Sequence, residues 1–329
     1  MLAGRQHQRP GGAGPAASAR SRDRGLTSAI AVSSPPVLMV SASFLFALMG
    51  VCVKLAATRY SAGELVFYRS LVGLILMAAV MRWHGVSWRT EVPEMHFWRS
   101  ASGSTALCLW FYAIAGLPLA TAMTLNYMSS VWMALFLIGG AALVGSRRSL
   151  DARLVAAVLA GFAGVALVLQ PTIDRDQLWH GVIGLGSGML AAVAYLQVTA
   201  LGRVGEPGLR VVFYFSISGV VMGAGLALAT GGAHSHTAVG LLLLLAIGAL
   251  ATAAQWMITL AFATGATLGI AALQYLGIAF SFAFGVWLFD DPVTPISLGG
   301  MVLIIGAGVG ATLLHGGKVP PTGAPPTQT

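Results

Sequence analysis

The chain carries the stretch Phe67-Tyr68-Arg69-Ser70-Leu71-Val72-Gly73, and 146 residues later it carries Phe213-Tyr214-Phe215-Ser216-Ile217-Ser218-Gly219. An acidic residue precedes each copy. Further matches follow in the same order: Leu125-Asn126-Tyr127 with Leu273-Gln274-Tyr275 and Phe136 with Phe284, both at an offset of 148, and Gly164 with Gly306, at an offset of 142. Apolar segments also align by chance, but the conserved order favours two copies of one unit.

The segments around these matches are long, continuous apolar runs. Crossing a bilayer takes about 20 apolar residues in a helix, and the absence of period-two alternation argues against a β-barrel. Ten runs are predicted to span the membrane as helices, at about residues 37–57, 64–81, 97–115, 120–143, 152–170, 180–201, 208–230, 238–260, 267–289 and 295–314.

Composition supports an integral membrane protein. Of the 329 residues, 57% are hydrophobic and only 9% are charged, and the mean hydropathy is +0.83. Soluble domains carry about 25% charged residues, so a soluble enzyme is excluded. Cys52 and Cys108 both lie inside apolar runs and indicate neither a disulfide nor a metal site.

The basic residues predict the orientation of the helices, because cytoplasmic loops are enriched in Lys and Arg. With the N-terminus inside, fourteen of the 18 basic residues, Arg99 among them, fall in cytoplasmic segments. Only Arg59 and Arg175 fall in outer loops, while Lys54 and Arg69 fall within spans. Both termini are therefore expected in the cytoplasm, and the net charge of +8 reports topology rather than nucleic-acid binding.

The predicted fold class is an all-α integral membrane protein with ten transmembrane helices in two inverted five-helix repeats. The first repeat covers residues 37–170 and the second covers residues 180–314, and an odd number of spans inverts the second relative to the first. Residues 1–36 and 315–329 are expected to be disordered cytoplasmic tails. The Arg- and Ser-rich start also has features of an organelle transit peptide, so a targeting role for the N-terminal tail stays open.

The arrangement resembles the drug/metabolite transporter superfamily, in its ten-helix EamA-type branch. The resemblance rests on the two five-helix repeats, the Glu-x-x-x-x-Arg from Glu64 to Arg69 and the Leu-Pro-Leu-Ala hairpin at 117–120. It implies a metabolite permease of the bacterial inner membrane, more often an exporter of amino acids or related compounds. Riboflavin- or S-adenosylmethionine-like uptake is the alternative that it leaves open.

Two departures from the family pattern concern the fourth and ninth spans and the ends of the repeats. EamA-type repeats often carry a proline three residues after the tyrosine of those spans, where this chain has Ser130 and Ile278. They also tend to carry Gly-Glu before the last helix of each repeat, where this chain has Arg147-Arg148 and Asp290-Asp291. Flexing of the helices at those prolines is therefore not expected here.

A transported solute needs polar groups that face a cavity, and intramembrane polar side chains are the candidates. Asn126-Tyr127 and Gln274-Tyr275 lead, because they occupy equivalent positions in the two repeats. Aromatic residues beside amides suit an amino-acid-like or flat aromatic solute. The further candidates, which can equally serve helix packing, are Trp110, Tyr112, Tyr195, Gln197, Gln255 and Trp256.

The charged residues near the outer ends of the first two spans form a second group. Glu64 is close enough in sequence to pair with Lys54 or Arg69, which favours a structural or gating ion pair at the outer mouth. The alternative is contact between Arg69 and a substrate carboxylate or phosphate. The spans contain no Asp or Glu at depth, so proton-driven export of lipophilic cations is disfavoured, and a neutral, zwitterionic or anionic solute is expected.

The leading hypothesis is a secondary transporter that works by alternating access, without enzymatic activity, metal or cofactor. No phosphate-binding loop of the form G-x-x-x-x-G-K-[ST] is present. An intramembrane lipid-modifying enzyme needs an acidic or histidine cluster, which the sequence lacks. The expected partners are a small-molecule substrate and the lipid bilayer, with no nucleic acid, and the oligomeric state stays open, a monomer being compatible.

Overall fold

In a computed structural model, the described residues are 34–116, 125–143, 152–169, 178–232, 234–265, 267–289 and 294–315. They form helices and no strand. The helices are α1 (Pro35–Ala56), α2 (Ala62–His84), α3 (Pro93–Gly116), α4 (Ser129–Leu143), α5 (Ala152–Leu169), α6 (Leu178–Arg203), α7 (Gly208–Ala229), α8 (Ala238–Thr264), α9 (Thr267–Gln274), α10 (Leu276–Phe289) and α11 (Pro295–His315).

Every predicted span corresponds to helix. Among the described residues, six segments are long and apolar enough to cross a membrane: α1, α2, α6, α7, α8 and the α9–α10 pair. Helix α3 has 24 residues but is more polar, because it carries His96, Arg99 and three serines along its first half. The all-helical, multi-pass membrane class is therefore confirmed. The hairpin at 117–120, residues 1–33 and 316–329 of the predicted tails, and the pairs Arg147-Arg148 and Asp290-Asp291 lie outside the described residues. Pro35, Pro36 and His315, predicted to belong to the tails, are part of α1 and α11.

Local signals in the sequence explain where helices begin and end. Helix α2 starts with a capping box, in which the Ser61 hydroxyl accepts from the Glu64 backbone amide and the Glu64 carboxylate accepts from the Ser61 amide. It ends at Gly85, whose φ of 68° is the left-handed conformation that glycine tolerates. A proline at the first helical position begins α1.

The helices pack in four principal pairs: α2 with α7, α3 with α6, α1 with α8, and α5 with α11. Along α2 and α7 the chains run antiparallel, since Gly63 meets the Ala227 backbone, Gly223 meets Phe67, and Gly73 faces Ser216. The missing Cβ atoms allow this close approach of two helix backbones. A core around Met39, Leu201 and Phe262 joins α1, α6 and α8.

The fourth and ninth spans are interrupted, contrary to the expectation drawn from their missing prolines. Helix α9 ends at Gln274 and α10 begins at Leu276, while residues 125–127 are helical and a turn at Met128 precedes α4. At Tyr275 the amide donates to the Ala272 carbonyl, three residues back, at 3.4 Å. The helices break at these tyrosines without proline.

Candidate functional site

A cavity of about 680 Å³ lies between the helices. Its lining comes from α1, α2, α3, α6, α7, α8, α9, α10 and the short 125–127 stretch, and it extends to the turn between α1 and α2, at Ala57, Tyr60 and Ala62. Residues from both halves of the sequence therefore enclose one space. The predicted site residues that line it are Asn126, Tyr127, Gln274, Trp110, Tyr195, Gln255, Lys54 and Arg69.

Four other residues predicted to bind substrate lie away from this lining. Tyr112 is 42% exposed and stacks on His180, with ring centroids 5.1 Å apart. The Gln197 side chain accepts a hydrogen bond from the Ser102 hydroxyl. Trp256 packs beside the apolar cluster that joins α2 and α7, and Tyr275 is fully buried against Val165 and Ile304. These contacts connect helices.

The two leading amides differ in their contacts. Asn126 donates from Nδ2 to the Ser187 hydroxyl at 3.1 Å, which joins the 125–127 stretch to α6. Gln274 donates from Nε2 to the Tyr195 hydroxyl at 3.2 Å, while its buried Oε1 has no partner among the described residues. An unpartnered buried carbonyl is costly, so Gln274 can accept a hydrogen bond from a solute donor.

Two arginines reach the cavity, and for one of them the cytoplasmic loop position predicted from the sequence is wrong. Arg99, counted there among the cytoplasmic loop residues, lies within α3, is 2% exposed and lines the cavity with Arg69. Both guanidinium groups approach the Phe215 ring, with Cζ at 4.5 Å from the ring centroid for Arg99 and 5.9 Å for Arg69. The misassignment arose because α3 begins at Pro93, earlier than the apolar run.

Of the two predicted partners of Glu64, Lys54 and Arg69, the structure does not bring Arg69 to the carboxylate. Both carboxylate oxygens of Glu64 have other partners: Oε1 accepts from the His234 amide at 2.7 Å, and Oε2 lies 2.7 Å from His234 Nδ1 and accepts from the Ser61 amide. The acid caps its own helix and binds the loop before α8. Arg69 instead points to Phe215.

A cluster, here called the Glu64 clasp, fastens the loop before α8 to the start of α2. Besides the Glu64–His234 contact, Arg59 Nε donates to the Ser235 carbonyl at 2.9 Å and the Tyr68 hydroxyl lies 2.9 Å from His236 Nε2. Loop and helix are therefore held at three points.

A matching cluster, here called the Glu206 clasp, fastens the loop before α3 to the start of α7. Glu206 Oε1 lies 2.7 Å from His96 Nε2 and 2.8 Å from Arg210 Nη1. Arg210 Nε donates to the Ser87 carbonyl at 2.9 Å, and the Tyr214 hydroxyl donates to the Trp88 carbonyl at 2.8 Å. The two clasps occupy opposite ends of the antiparallel α2–α7 pair.

Burial raises the pKa of Glu206, but hydrogen bonds from Arg210 and His96 outweigh it, so the net pKa lies below its ordinary value of 4.5. The carboxylate is therefore charged at neutral pH. In the described part of the chain, no group of three His, Cys, Asp or Glu side chains is placed to hold a metal ion.

Apolar helices around a cavity with a few polar and charged side chains define a membrane transport protein rather than an enzyme. Comparison with known proteins identifies the family within this class. Residues 34–170 match the EamA-like transporter family, and the pseudopaline exporter of Pseudomonas aeruginosa is 33% identical over 280 residues, covering 83% of this chain and 94% of the relative. The chain belongs to the EamA-like transporter family.

More distant relatives agree with this membership. An uncharacterized transporter of Helicobacter pylori is 24% identical over 83% of this chain and 92% of its own length. A riboflavin transporter of Rhizobium johnstonii is 31% identical over 61% of this chain and 64% of its own length. A crystal structure that is 18% identical, with a TM-score of 0.75, covers 86% of this chain and 99% of its own, which supports the fold.

Proposed function

We propose that this protein exports a small polar metabolite across the cytoplasmic membrane by alternating access. The observation that carries the proposal is the cavity of about 680 Å³, which both halves of the chain line and which contains Gln274, Tyr195 and Asn126. Amides and hydroxyls exchange hydrogen bonds with a solute as it leaves water. Six of the ten site residues predicted for substrate binding contact this space.

Two inverted five-helix repeats, residues 37–170 and 180–314, account for the way the helices pair. Exchanging the first span with the sixth, the second with the seventh, and so on converts the α3–α6 contact into the α8–α1 contact and leaves the α2–α7 and α5–α11 contacts unchanged. The same exchange relates the Glu64 clasp to the Glu206 clasp. This symmetry supports the architecture of secondary transporters, in which two such repeats rock about a central site.

The orientation follows from the basic loops. With both termini in the cytoplasm, the turn between α1 and α2 lies outside, and the cavity extends to that turn. Without Arg99, the predicted cytoplasmic segments still contain many more basic residues than the outer loops. The Glu206 clasp then lies at the cytoplasmic end of α7, below the cavity, and the conformation is an outward-facing one of a multi-pass protein of the inner membrane.

The relatives favour export of a metabolite. The two pseudopaline exporters at 33% identity cover nearly their full length, whereas the riboflavin transporter matches over a shorter stretch. Uptake is the second candidate, because the name of the riboflavin transporter does not state the direction of transport. In the described structure the cavity lining contains no acidic residue, which fits a neutral, zwitterionic or anionic solute and disfavours a cation.

Reconstituted transport tests the proposal. Purified protein in proteoliposomes is given a panel of amino-acid-like and flat aromatic metabolites, in both directions, with and without a proton gradient. Gln274→Ala and Asn126→Ala are expected to reduce flux of the transported compound by about tenfold, since each removes a polar contact of the cavity. Gln197→Ala, an amide outside the cavity, is the matched control.

Two results would contradict the proposal. Unchanged flux in both Gln274→Ala and Asn126→Ala would show that the cavity is not the substrate site. Strong proton-driven exchange of lipophilic cations would contradict the proposed class of solute.

A further inference from the structure

Arg69 and Arg99 come from different helices and meet at one aromatic ring inside the cavity. Both guanidinium groups contact the Phe215 ring, with Cζ 5.9 Å from the ring centroid for Arg69 and 4.5 Å for Arg99. Gly103, one turn beyond Arg99 in α3, leaves room for Nη1 of that arginine against the helix. The two cations are therefore held in a shared location by packing.

This location is close to the middle of the helix bundle. The Ser218 hydroxyl donates to the Ser100 carbonyl at 3.4 Å, which sets Arg99 level with the centre of α7. On the other side of α7, Gly73 of α2 faces Ser216, so Arg69 is about one turn away from the same level. Both arginines therefore line the cavity within the helix bundle.

No acidic residue in the described part of the chain forms a salt bridge with either arginine. The buried Nε atoms of both, and Nη1 of Arg99, also lack a hydrogen-bond partner there. A buried guanidinium without a counter-ion is costly, and charged side chains at membrane depth are retained for function. The cation–π contact with Phe215 offsets only part of that cost.

We propose that Arg69 and Arg99 form the anion-binding subsite of the transport cavity and that the transported solute carries two acidic groups, as carboxylate or phosphate. The inference rests on the proposed transport function. The cavity lining contains no Asp or Glu, and its cations are Lys54, Arg69 and Arg99. The two arginines, which form no salt bridge in the described part of the chain, together carry a formal charge of +2 that a doubly acidic solute balances. The planar fork of arginine binds both kinds of oxyanion through paired hydrogen bonds.

The neighbouring polar groups fit the rest of such a solute. Gln255 lines both the main cavity and the small space beside Arg69, which also contains Ser70 and Thr252. Tyr195 and Gln274 line the same cavity, and Oε1 of Gln274 has no hydrogen-bond partner among the described residues. A solute with amino or hydroxyl donors between its acidic groups finds acceptors there.

The test compares what cells release. Cells expressing the wild-type chain, Arg69→Gln, Arg99→Gln or Arg99→Lys are grown in minimal medium, and the compounds that accumulate outside are quantified by mass spectrometry against cells with an empty vector. Accumulation of a compound with two acidic groups is expected with the wild type, and its carboxylate or phosphate content identifies the oxyanion. Either glutamine variant should lower its release at least about tenfold, because a charge-assisted bond is lost.

Arg99→Lys is expected to retain an intermediate release, since the charge remains and the fork is lost. Arg82→Gln, in the exposed last turn of α2, is the matched control and should release as much as the wild type. The melting temperature of each variant in detergent gives a readout independent of transport. Without solute, Arg69→Gln and Arg99→Gln should melt no lower than the wild type, because an unpaired buried charge is removed.

The outcomes separate the two proposals. Release of a compound with fewer than two acidic groups, unaffected by both glutamine variants, overturns the anion subsite and leaves the transport function intact. A lower melting temperature of both Arg69→Gln and Arg99→Gln than of the wild type would show that the arginines stabilise the fold. That result also overturns the anion-binding subsite. No compound released above the empty vector overturns the transport function and this inference with it.

Discussion

The Ser130 hydroxyl donates to the Ala271 carbonyl at 3.1 Å, across the boundary between α4 and α9. In an uninterrupted helix that carbonyl accepts from the Tyr275 amide, which here bonds to Ala272 instead. The hydroxyl therefore satisfies a carbonyl that the interruption of the ninth span releases. A free backbone group has no water to bind inside a membrane, so Ser130 stabilises the break.

Ser130→Ala should weaken this junction. The Ala271 carbonyl then loses its partner, and the expected cost is about 0.6 kcal/mol in a membrane bundle. Chemical unfolding in mixed micelles measures this difference. Ser104→Ala is the matched control, because that buried hydroxyl has no partner among the described residues. Equal stability of wild type and Ser130→Ala would mean that the carbonyl finds another donor.

Gly188 of α6 packs against the backbone of the interrupted fourth span. A Cβ atom there meets the Leu125 carbonyl at 2.5 Å, whereas at Gly186, two residues earlier, it meets nothing within 4 Å. Gly188→Ala is expected to destabilise the protein by about 1–3 kcal/mol, because a backbone must shift. Gly186→Ala should be neutral or slightly stabilising, since alanine favours the helix. Thermal unfolding in detergent compares the two, and a Gly188→Ala variant as stable as Gly186→Ala would contradict the packing of α6 against residues 125–129.

The Glu206 clasp makes stability depend on pH. The pKa of Glu206 is lowered by folding, so its contribution is present above the unfolded value of about 4.5 and is lost as the pH falls through the folded value. Glu206→Gln should therefore be less stable than the wild type at pH 7, with a gap that closes as the pH falls below about 4.5.

Melting temperatures between pH 7 and pH 3.5 measure that gap. Glu94→Gln, an exposed acid in the first turn of α3, controls for general charge effects. A difference between wild type and Glu206→Gln that stays constant across the range would show that the Glu206 carboxylate gains nothing from His96 and Arg210.

The helices and the main polar residues of the cavity could be predicted from the sequence, because apolar length and intramembrane amides are local signals. Asn126 and Gln274 stand out in this way, and both line the cavity. Arg99 and Phe215 could not be assigned, because their roles depend on how α3 packs against α7. The hydrogen bond of Ser130 could not be predicted, since its acceptor is 141 residues away. The sequence shows only that serine stands where the family often has proline.

The observed contacts of Glu64 could not be predicted for a similar reason. Proximity in sequence favoured Arg69 or Lys54, but the acid is used by its own helix cap and by a loop 170 residues away. The sequence does contain a signal for the helix cap. Ser61 stands three residues before Glu64, and this spacing of Ser and Glu predicts a capping box. Tyr112, Gln197 and Trp256 were selected as polar aromatic or amide residues, a chemistry that helix packing also uses.

Alternating access is the central claim, and thiol labelling tests it most directly. Ala191 of α6 lines the cavity, so Ala191→Cys is introduced into a chain from which Cys52 and Cys108 have been removed. A membrane-impermeant maleimide is applied to vesicles of each orientation. We expect labelling from both faces of the membrane, with both rates reduced by the transported solute. Labelling from one face only, with or without solute, would contradict alternating access.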